Sequence, residues 1–290
     1  RFVTMSNFPK TKILRCTTVR TVGTFACGSV FKPCVAGAAL EEKIITDKTK
    51  IYCKQDYDFY PTNVVRCMHY HAVLMLLAQL NNRATTFLPT RAEGSELNRC
   101  ICMRRSSGSA NTRVLKLRSQ MERLQAETDT SWQAGNTVSA AIGQSDNAFT
   151  PVQLATYVAT IANNGERLKT HIVDKVTNYE RTKTVKSTDV ESYGDCGISK
   201  KNLDIVRKAM LGVTQDENGT ANYMFGDYKV KVAAKTGTAE NSGSDHTTFI
   251  CYAPYEKPEV AIAVVIEHGA KADIQCRLQR ICLTHILNKN

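Results

Sequence analysis

The sequence predicts an α+β layer fold, an antiparallel sheet flanked by helices, on three observations. Three segments rich in Val, Ile, Ala and Thr follow closely on one another near the end, at 228–234, 247–253 and 259–266. Their short connections suit antiparallel hairpins rather than crossovers. Stretches of helical period precede them at 152–163 and 200–213, and another closes the chain at 272–288. Helices segregated from a strand meander are the pattern of an α+β fold. The 290 residues are 42% apolar and 22% charged, enough for one large core.

In chain order, residues 1–27 carry little pattern. Gly28-Ser29-Val30-Phe31-Lys32-Pro33 then feeds the apolar run Val35–Leu40, which predicts a turn entering a buried helix over 29–45. The mixture of aromatic and polar residues at 50–71 reads as strand and loop. The apolar run 72–80 reads as a helix. Residues 81–128 mix Arg, Ser and Gly without a period and receive no element. Thr150-Pro151 places an N-cap and a first-turn proline before the helix Val152 to Asn163, and Asn164-Gly165 stops it. Short strands are expected at 171–177 and 184–190. After the amphipathic helix from Lys200 to Val213 comes a turn at Asn218–Ala221.

Bulk properties exclude several functions. No apolar run approaches the roughly 18 residues of a membrane span, and Arg1 to Arg20 lacks the apolar core of a signal peptide. The chain is therefore expected to be a domain of something longer. The formal charge of +11 is dispersed, without zinc-finger spacing or basic repeats interleaved with aromatics, so nucleic acid is not an expected partner. An anionic wall polymer or a membrane surface suits that charge equally well. The eleven cysteines follow no disulfide-scaffold spacing. Cys34, Cys251 and Cys282 lie in apolar runs and read as buried, mostly reduced thiols.

Two short motifs carry chemistry. A serine needs a nearby base to become a nucleophile, and a lysine in an apolar pocket loses its proton more easily because burial disfavours the ammonium. On a helix the i, i+3 spacing sets Ser29 and Lys32 on one face. Alone this Ser-x-x-Lys occurs by chance, and a helix cap followed by a surface lysine is the plain alternative. The second motif, Lys235-Thr236-Gly237-Thr238-Ala239-Glu240, ends the first of the late strands. Alternation puts Lys235 and Gly237 on one face and Thr236 and Thr238 on the other. The glycine leaves room for a ligand backbone along the strand, and lysine and threonine supply a cation and donors for a carboxylate. Ser-x-x-Lys followed by Lys-Thr-Gly points to acyl transfer by a serine penicilloyl enzyme.

With both motifs in order, the chain resembles the transpeptidase domain of class B penicillin-binding proteins. Ala140-Ala141-Ile142-Gly143-Gln144 with Phe149–Ala155, Phe249–Tyr255 and Glu267-His268-Gly269 also resemble segments of that family. The resemblance covers roughly residues 20–80 and 130–290. It implies a penicillin-binding, serine β-lactamase-like fold, with 1–290 forming one transpeptidase domain. It also implies an N-terminal membrane anchor and a non-catalytic domain outside this stretch. The implied setting is the extracytoplasmic face of the bacterial cell membrane. Ser29 would be the nucleophile and Lys32 its base. Lys235, Thr236 and Thr238 would hold the carboxylate of a D-Ala-D-Ala stem peptide, with Gly237 between them, and the N–H groups of Ser29 and Thr238 would face the oxyanion. β-Lactams and other cell-wall synthesis proteins are the further implied partners. No cofactor is required for catalysis.

One family motif, Ser-x-Asn, has no clear counterpart. By register it falls near Asn82-Arg83-Ala84, and literally it occurs at Ser109-Ala110-Asn111. Two rivals stay open: a serine β-lactamase or D,D-carboxypeptidase of the same fold, and a non-catalytic sensor binding β-lactams or wall peptide. A structural zinc is a separate expectation, on Cys53, Cys67, His69 and His71. Thiolate and imidazole are zinc ligands, and on a strand the two histidines would share one side. The spacing is not that of a standard finger, and solvent-facing histidines with a buried thiol or disulfide fit equally.

Overall fold

A computed structural model describes residues 24–53, 56–57, 65–67, 72–75, 139–144, 148–171, 173–241, 243–269, 277 and 280–285. Gly28–Phe31 forms a 3₁₀ turn that runs directly into helix α1, Lys32–Glu41. Pro33 sits in the first turn of α1, where a missing N–H costs nothing. The helix expected over 29–45 is thus a 3₁₀ entry and a shorter α-helix. Lys43, at φ 60°, turns the chain out of helical geometry.

Four short strands follow: β1 (Lys50–Cys53), β2 (Asp56–Tyr57), β3 (Val65–Arg66) and β4 (Ala72–Met75). β1 pairs antiparallel with β4, from Lys50 opposite Met75 to Cys53 opposite Ala72, and β2 pairs with β3. This overturns the helix expected over 72–80, at least across 72–75; residues 76–80 lie outside the described residues. A short apolar run has no period that separates helix from strand, and here β1 supplies the partner.

Helix α2 (Pro151–Ala162) begins as expected. The Gln153 backbone N–H donates to Thr150 Oγ1 at 3.2 Å, and the Thr150 N–H donates back to Gln153 Oε1 at 2.6 Å. This reciprocal capping box satisfies two orphan donors. Strands β5 (Glu166–Leu168), β6 (Lys175–Thr177), β7 (Thr184–Ser187) and β8 (Ser192–Asp195) pair as β5 with β8 and β6 with β7. They form two two-stranded sheets whose strand residues are largely exposed. Helix α3 (Lys200–Gln215) and the single turn α4 (Asn222–Phe225) lead to the main sheet. Glu41 at the end of α1 reaches the start of α3, where its carboxylate accepts from Ser199 N (2.8 Å), Ser199 Oγ (2.7 Å) and Asn202 Nδ2 (2.7 Å). These donors, the Ser199 backbone N–H foremost, hold the Glu41 carboxyl below its usual range.

The main sheet holds β9 (Ala233–Ala239), β10 (His246–Ala253) and β11 (Val260–Ile266) in the order β11-β10-β9, all antiparallel. The strand expected at 228–234 begins only at Ala233. Residues 231–232 direct their carbonyls elsewhere: Lys231 O accepts from Tyr255 N at 2.9 Å and Val232 O from Thr214 Oγ1 at 2.5 Å. The Lys-Thr-Gly motif therefore lies inside a strand rather than at its end.

Alternation splits the sheet between two apolar layers. Ala233, Ile250 and Tyr252 pack with Phe31, Val35, Tyr157, Ile161, Val206 and Met210 on one side. Ala234, Phe249 and Cys251 pack with Val213, Phe225 and Leu283 on the other. Cys34 and Cys251 are buried as expected, and Cys282 is half-buried. The helix expected over 272–288 is helical at 280–285, among the described residues.

Arg207 of α3 ties three elements. Its guanidinium donates to Asn164 Oδ1 (2.5 Å), the Tyr252 hydroxyl (3.2 Å) and Tyr255 O (3.3 Å). It also lies 5.8 and 5.7 Å from the centroids of the Tyr252 and Tyr255 rings. A planar fork on two rings and three acceptors is not replaced by an ammonium. Arg207→Lys is expected to lose about 1–3 kcal/mol of stability, read from urea unfolding, and an unchanged midpoint would show that the cluster is decorative.

Candidate active site

The Gly28–Phe31 turn that carries Ser29 is positioned by close backbone approaches that need glycine. Gly28 has φ +57°, and a Cβ there would stand 2.3 Å from Thr238 O. Gly143 has φ +76°, and a Cβ there would stand 2.1 Å from Gly28 O. Both left-handed angles suit a residue without a Cβ. The Gly28 N–H donates to Gly143 O at 2.9 Å, and Phe25 and Phe149 exchange backbone hydrogen bonds of 3.0 and 2.9 Å. The segment 139–144 thus backs the turn on one side and β9 closes the other. A Cβ on Gly237 would meet Cys27 O at 2.8 Å and Val30 Cγ1 at 2.9 Å, so β9 presents a bare backbone at this point to the turn and to its Val30 side chain. The two sequence motifs are brought together in this way.

Ser29 lies half-buried in the 3₁₀ turn, whose geometry eclipses positions i and i+3. Lys32, three residues on, is 2% exposed. Burial pushes the Lys32 ammonium down to about 8, against a smaller upward pull from Cys67. Cys27, just before the turn, is wholly buried, and burial pushes its thiol well up.

On β9 burial alternates as expected. Lys235 and Gly237 are buried, Thr236 is half-buried and Thr238 is exposed. Lys235 Nζ donates to Thr236 O at 3.0 Å. Thr236 Oγ1 lies 3.0 Å from Thr220 Oγ1. The sequence places Thr220 in a turn and gives it no role; the short interval between α3 and the Lys-Thr-Gly strand is the one signal that could have found it. Gly143 belongs to a segment that resembles the family, but its contact with Gly28 is a tertiary fact.

The expected zinc set is not assembled among the described residues. His69, His71 and the Cys53 side chain lie outside them. Cys67 is buried and acts electrostatically on Lys32. No group of three or more His, Cys, Asp or Glu placed to hold a metal ion occurs among the described residues. Both candidates for Ser-x-Asn, at 82–84 and 109–111, also lie outside them.

Comparison with known proteins bears on this arrangement. The sequence matches the family described as penicillin binding protein transpeptidase domain over residues 116–279, more than half of the chain. Peptidoglycan D,D-transpeptidase MrdA of Salmonella typhimurium is 26% identical across 92% of this chain and 47% of its own length. Penicillin-binding protein 2B of Streptococcus pneumoniae is 33% identical across 46% of this chain and 21% of its own length. The crystal structure of Pseudomonas aeruginosa PBP2 in complex with WCK 5153 superposes with a TM-score of 0.76 at 22% identity, covering 93% of this chain and 62% of that one. The penicillin G acyl-enzyme complex of penicillin-binding protein A from M. tuberculosis superposes with a TM-score of 0.73 at 22% identity, over 88% of this chain and 57% of that one.

A sheet backed by helices on both sides, with a serine turn seated on its edge strand, is thus the penicillin-binding fold. The chain belongs to the penicillin-binding protein transpeptidase domain family, and within it to class B. It spans about half the length of the curated relatives that it matches across most of its residues.

Proposed function

We propose that residues 1–290 form the catalytic domain of a peptidoglycan D,D-transpeptidase that works through a serine acyl-enzyme. The observation that carries the reading is a half-buried serine one 3₁₀ turn before a buried lysine whose pKa falls to about 8. An amine with that pKa is partly neutral at physiological pH, so it accepts a proton without help. The names of the relatives support the substrate class.

In this reading Ser29 Oγ attacks the carbonyl carbon between the two terminal D-alanines of a stem peptide, and its proton passes to neutral Lys32 Nζ. The N–H groups of Ser29 and Thr238 stabilise the oxyanion. The C–N bond breaks, the terminal D-alanine leaves with a proton, and an ester remains on Ser29. An amine of a neighbouring stem attacks that ester, forms the cross-link and returns a proton to Ser29 Oγ. Lys235, Thr236 and Thr238 hold the departing carboxylate, and Gly237 lets the substrate backbone lie against β9. A β-lactam acylates the same serine.

No helix among the described residues is long and apolar enough to cross a membrane. Work on wall peptide would place this domain on the extracytoplasmic side of the membrane, beside other wall-synthesis proteins.

Incubation with benzylpenicillin followed by intact mass should show one adduct, mapped to the peptide containing Ser29. Ser29→Ala should show none while keeping its melting temperature. Covalent labelling retained in that variant would overturn the assignment. Rapid loss of the wild-type adduct would favour the hydrolytic rivals, and a long-lived adduct without cross-linked product the sensor.

A further inference from the structure

Thr220 lies outside both motifs, yet it is the residue that meets Thr236 hydroxyl to hydroxyl, at 3.0 Å. It is also held there firmly. A Cβ on Gly219 would stand 2.5 Å from both Gly212 O and Val213 O, so the turn lies flat against the end of α3. Ala221 is buried, and its N–H donates to Val213 O at 2.9 Å. Asn222 N donates to Gly219 O at 3.0 Å, and Asn222 Nδ2 to Thr214 O at 3.1 Å. Thr214 Oγ1 in turn holds Val232 O, just before β9 begins. One clamp thus sets both the Thr220 turn and the start of β9, which fixes the separation of the two hydroxyls.

A hydroxyl has one proton and two acceptor sites. If Thr236 donates to Thr220, its proton is engaged and it presents lone pairs outward, which repel an anion. If Thr220 donates to Thr236, the Thr236 proton is free to point at a ligand. A carboxylate beside Thr236 selects the second arrangement and is bound by a polarised donor, since hydrogen bonds in a chain strengthen one another.

We propose that Thr220 is a positioning residue for carboxylate recognition, donating to Thr236 so that Thr236 donates to the substrate carboxylate. This deepens the transpeptidase reading and rests on it. Thr220 does not touch the reacting atoms; it acts through Thr236.

The test compares acylation by benzylpenicillin and by its methyl ester, which lacks the anion, in wild type, Thr220→Val and Thr220→Ser. Thr220→Val keeps the shape and removes the hydroxyl. It should lower the second-order acylation rate by the free acid about tenfold and leave the ester rate within about twofold. Thr220→Ser should restore the acid rate. In a Thr236→Val background, Thr220→Val should have no further effect, because paired residues couple. Equal losses with acid and ester, or no loss with the acid, would overturn the positioning role while the acyl-transfer reading stood. A wild type that does not prefer the acid would overturn it as well. A wild type that forms no adduct with either compound would overturn the acyl-transfer reading, and this inference with it. Melting temperatures within a few degrees of wild type keep folding apart from recognition.

Discussion

Lys32→Met is expected to reduce acylation by roughly 10²–10⁴-fold, the usual contribution of a general base, and at the same time to raise the melting temperature at neutral pH. The two effects have one cause. Lys32 is 2% exposed, and burial lowers its pKa from 10.5 to about 8 because the folded protein disfavours the ammonium. That same burial makes the neutral amine available as a base. Methionine fills similar volume without the charge, so the desolvation cost disappears along with the base. Active sites commonly trade stability for function in this way.

The sign of the pH dependence follows. The folded value lies below the unfolded one, so between about 8 and 10.5 the unfolded chain holds a proton on Lys32 that the folded chain has released. Stability from this group therefore rises with pH across that window and is lost as pH falls through about 8. The advantage of Lys32→Met should be largest below pH 8 and should shrink as pH climbs toward 10.5. Wild-type acylation should rise about tenfold per pH unit below an apparent pKa near 8 and level off above it. A rate already flat from pH 6 upward, or a methionine variant less stable than wild type at pH 7, would show that Lys32 is not a partly neutral buried base.

Gly28→Ala should disable the site from the backbone side. The added Cβ would stand 2.3 Å from Thr238 O and 2.8 Å from Thr238 C, and both are main-chain atoms of β9, which cannot rotate away. The left-handed φ of +57° adds the strain that an L side chain meets there. Overpacking of this kind costs about 1–3 kcal/mol, and the left-handed conformation roughly 1–2 kcal/mol more. The turn must back away from β9 and carry Ser29 with it. A displacement near 1 Å at a reacting group costs about a hundredfold in rate. The variant should therefore fold with a lower urea midpoint and acylate about a hundredfold more slowly. Acylation at the wild-type rate would mean that the contact of the turn with β9 does not set the position of the serine.

Much of this protein is legible in its residues alone. The capping box at Thr150 and Gln153 is local, formed within four consecutive residues, so Thr-Pro at 150–151 predicts its helix correctly. β10 and β11 are legible from their β-branched and aromatic residue types and their short connection, although strands covered on both faces read as continuous apolar runs without a period. The Ser-x-x-Lys turn and the Lys-Thr-Gly strand can be picked out from residue types, because few side chains are able to activate a serine or bind a carboxylate.

What tertiary structure decided has a common physical cause: the partner is distant in sequence and leaves no local trace. Ala72–Met75 is a strand because β1, about twenty residues earlier, satisfies its backbone; an apolar run by itself is equally content in a helix. β9 starts at Ala233 and not at Tyr228 because Thr214 and Tyr255 take the carbonyls just before it. Burial of Lys32, which sets its pKa, comes from layers contributed by many segments. Thr220 has a role here because a tight turn at Gly219 delivers its hydroxyl to Thr236. Residue types and local pattern thus specified the candidate reactive groups and the class of fold, while long-range packing alone decided which hydroxyl meets which, and how readily a lysine gives up its proton.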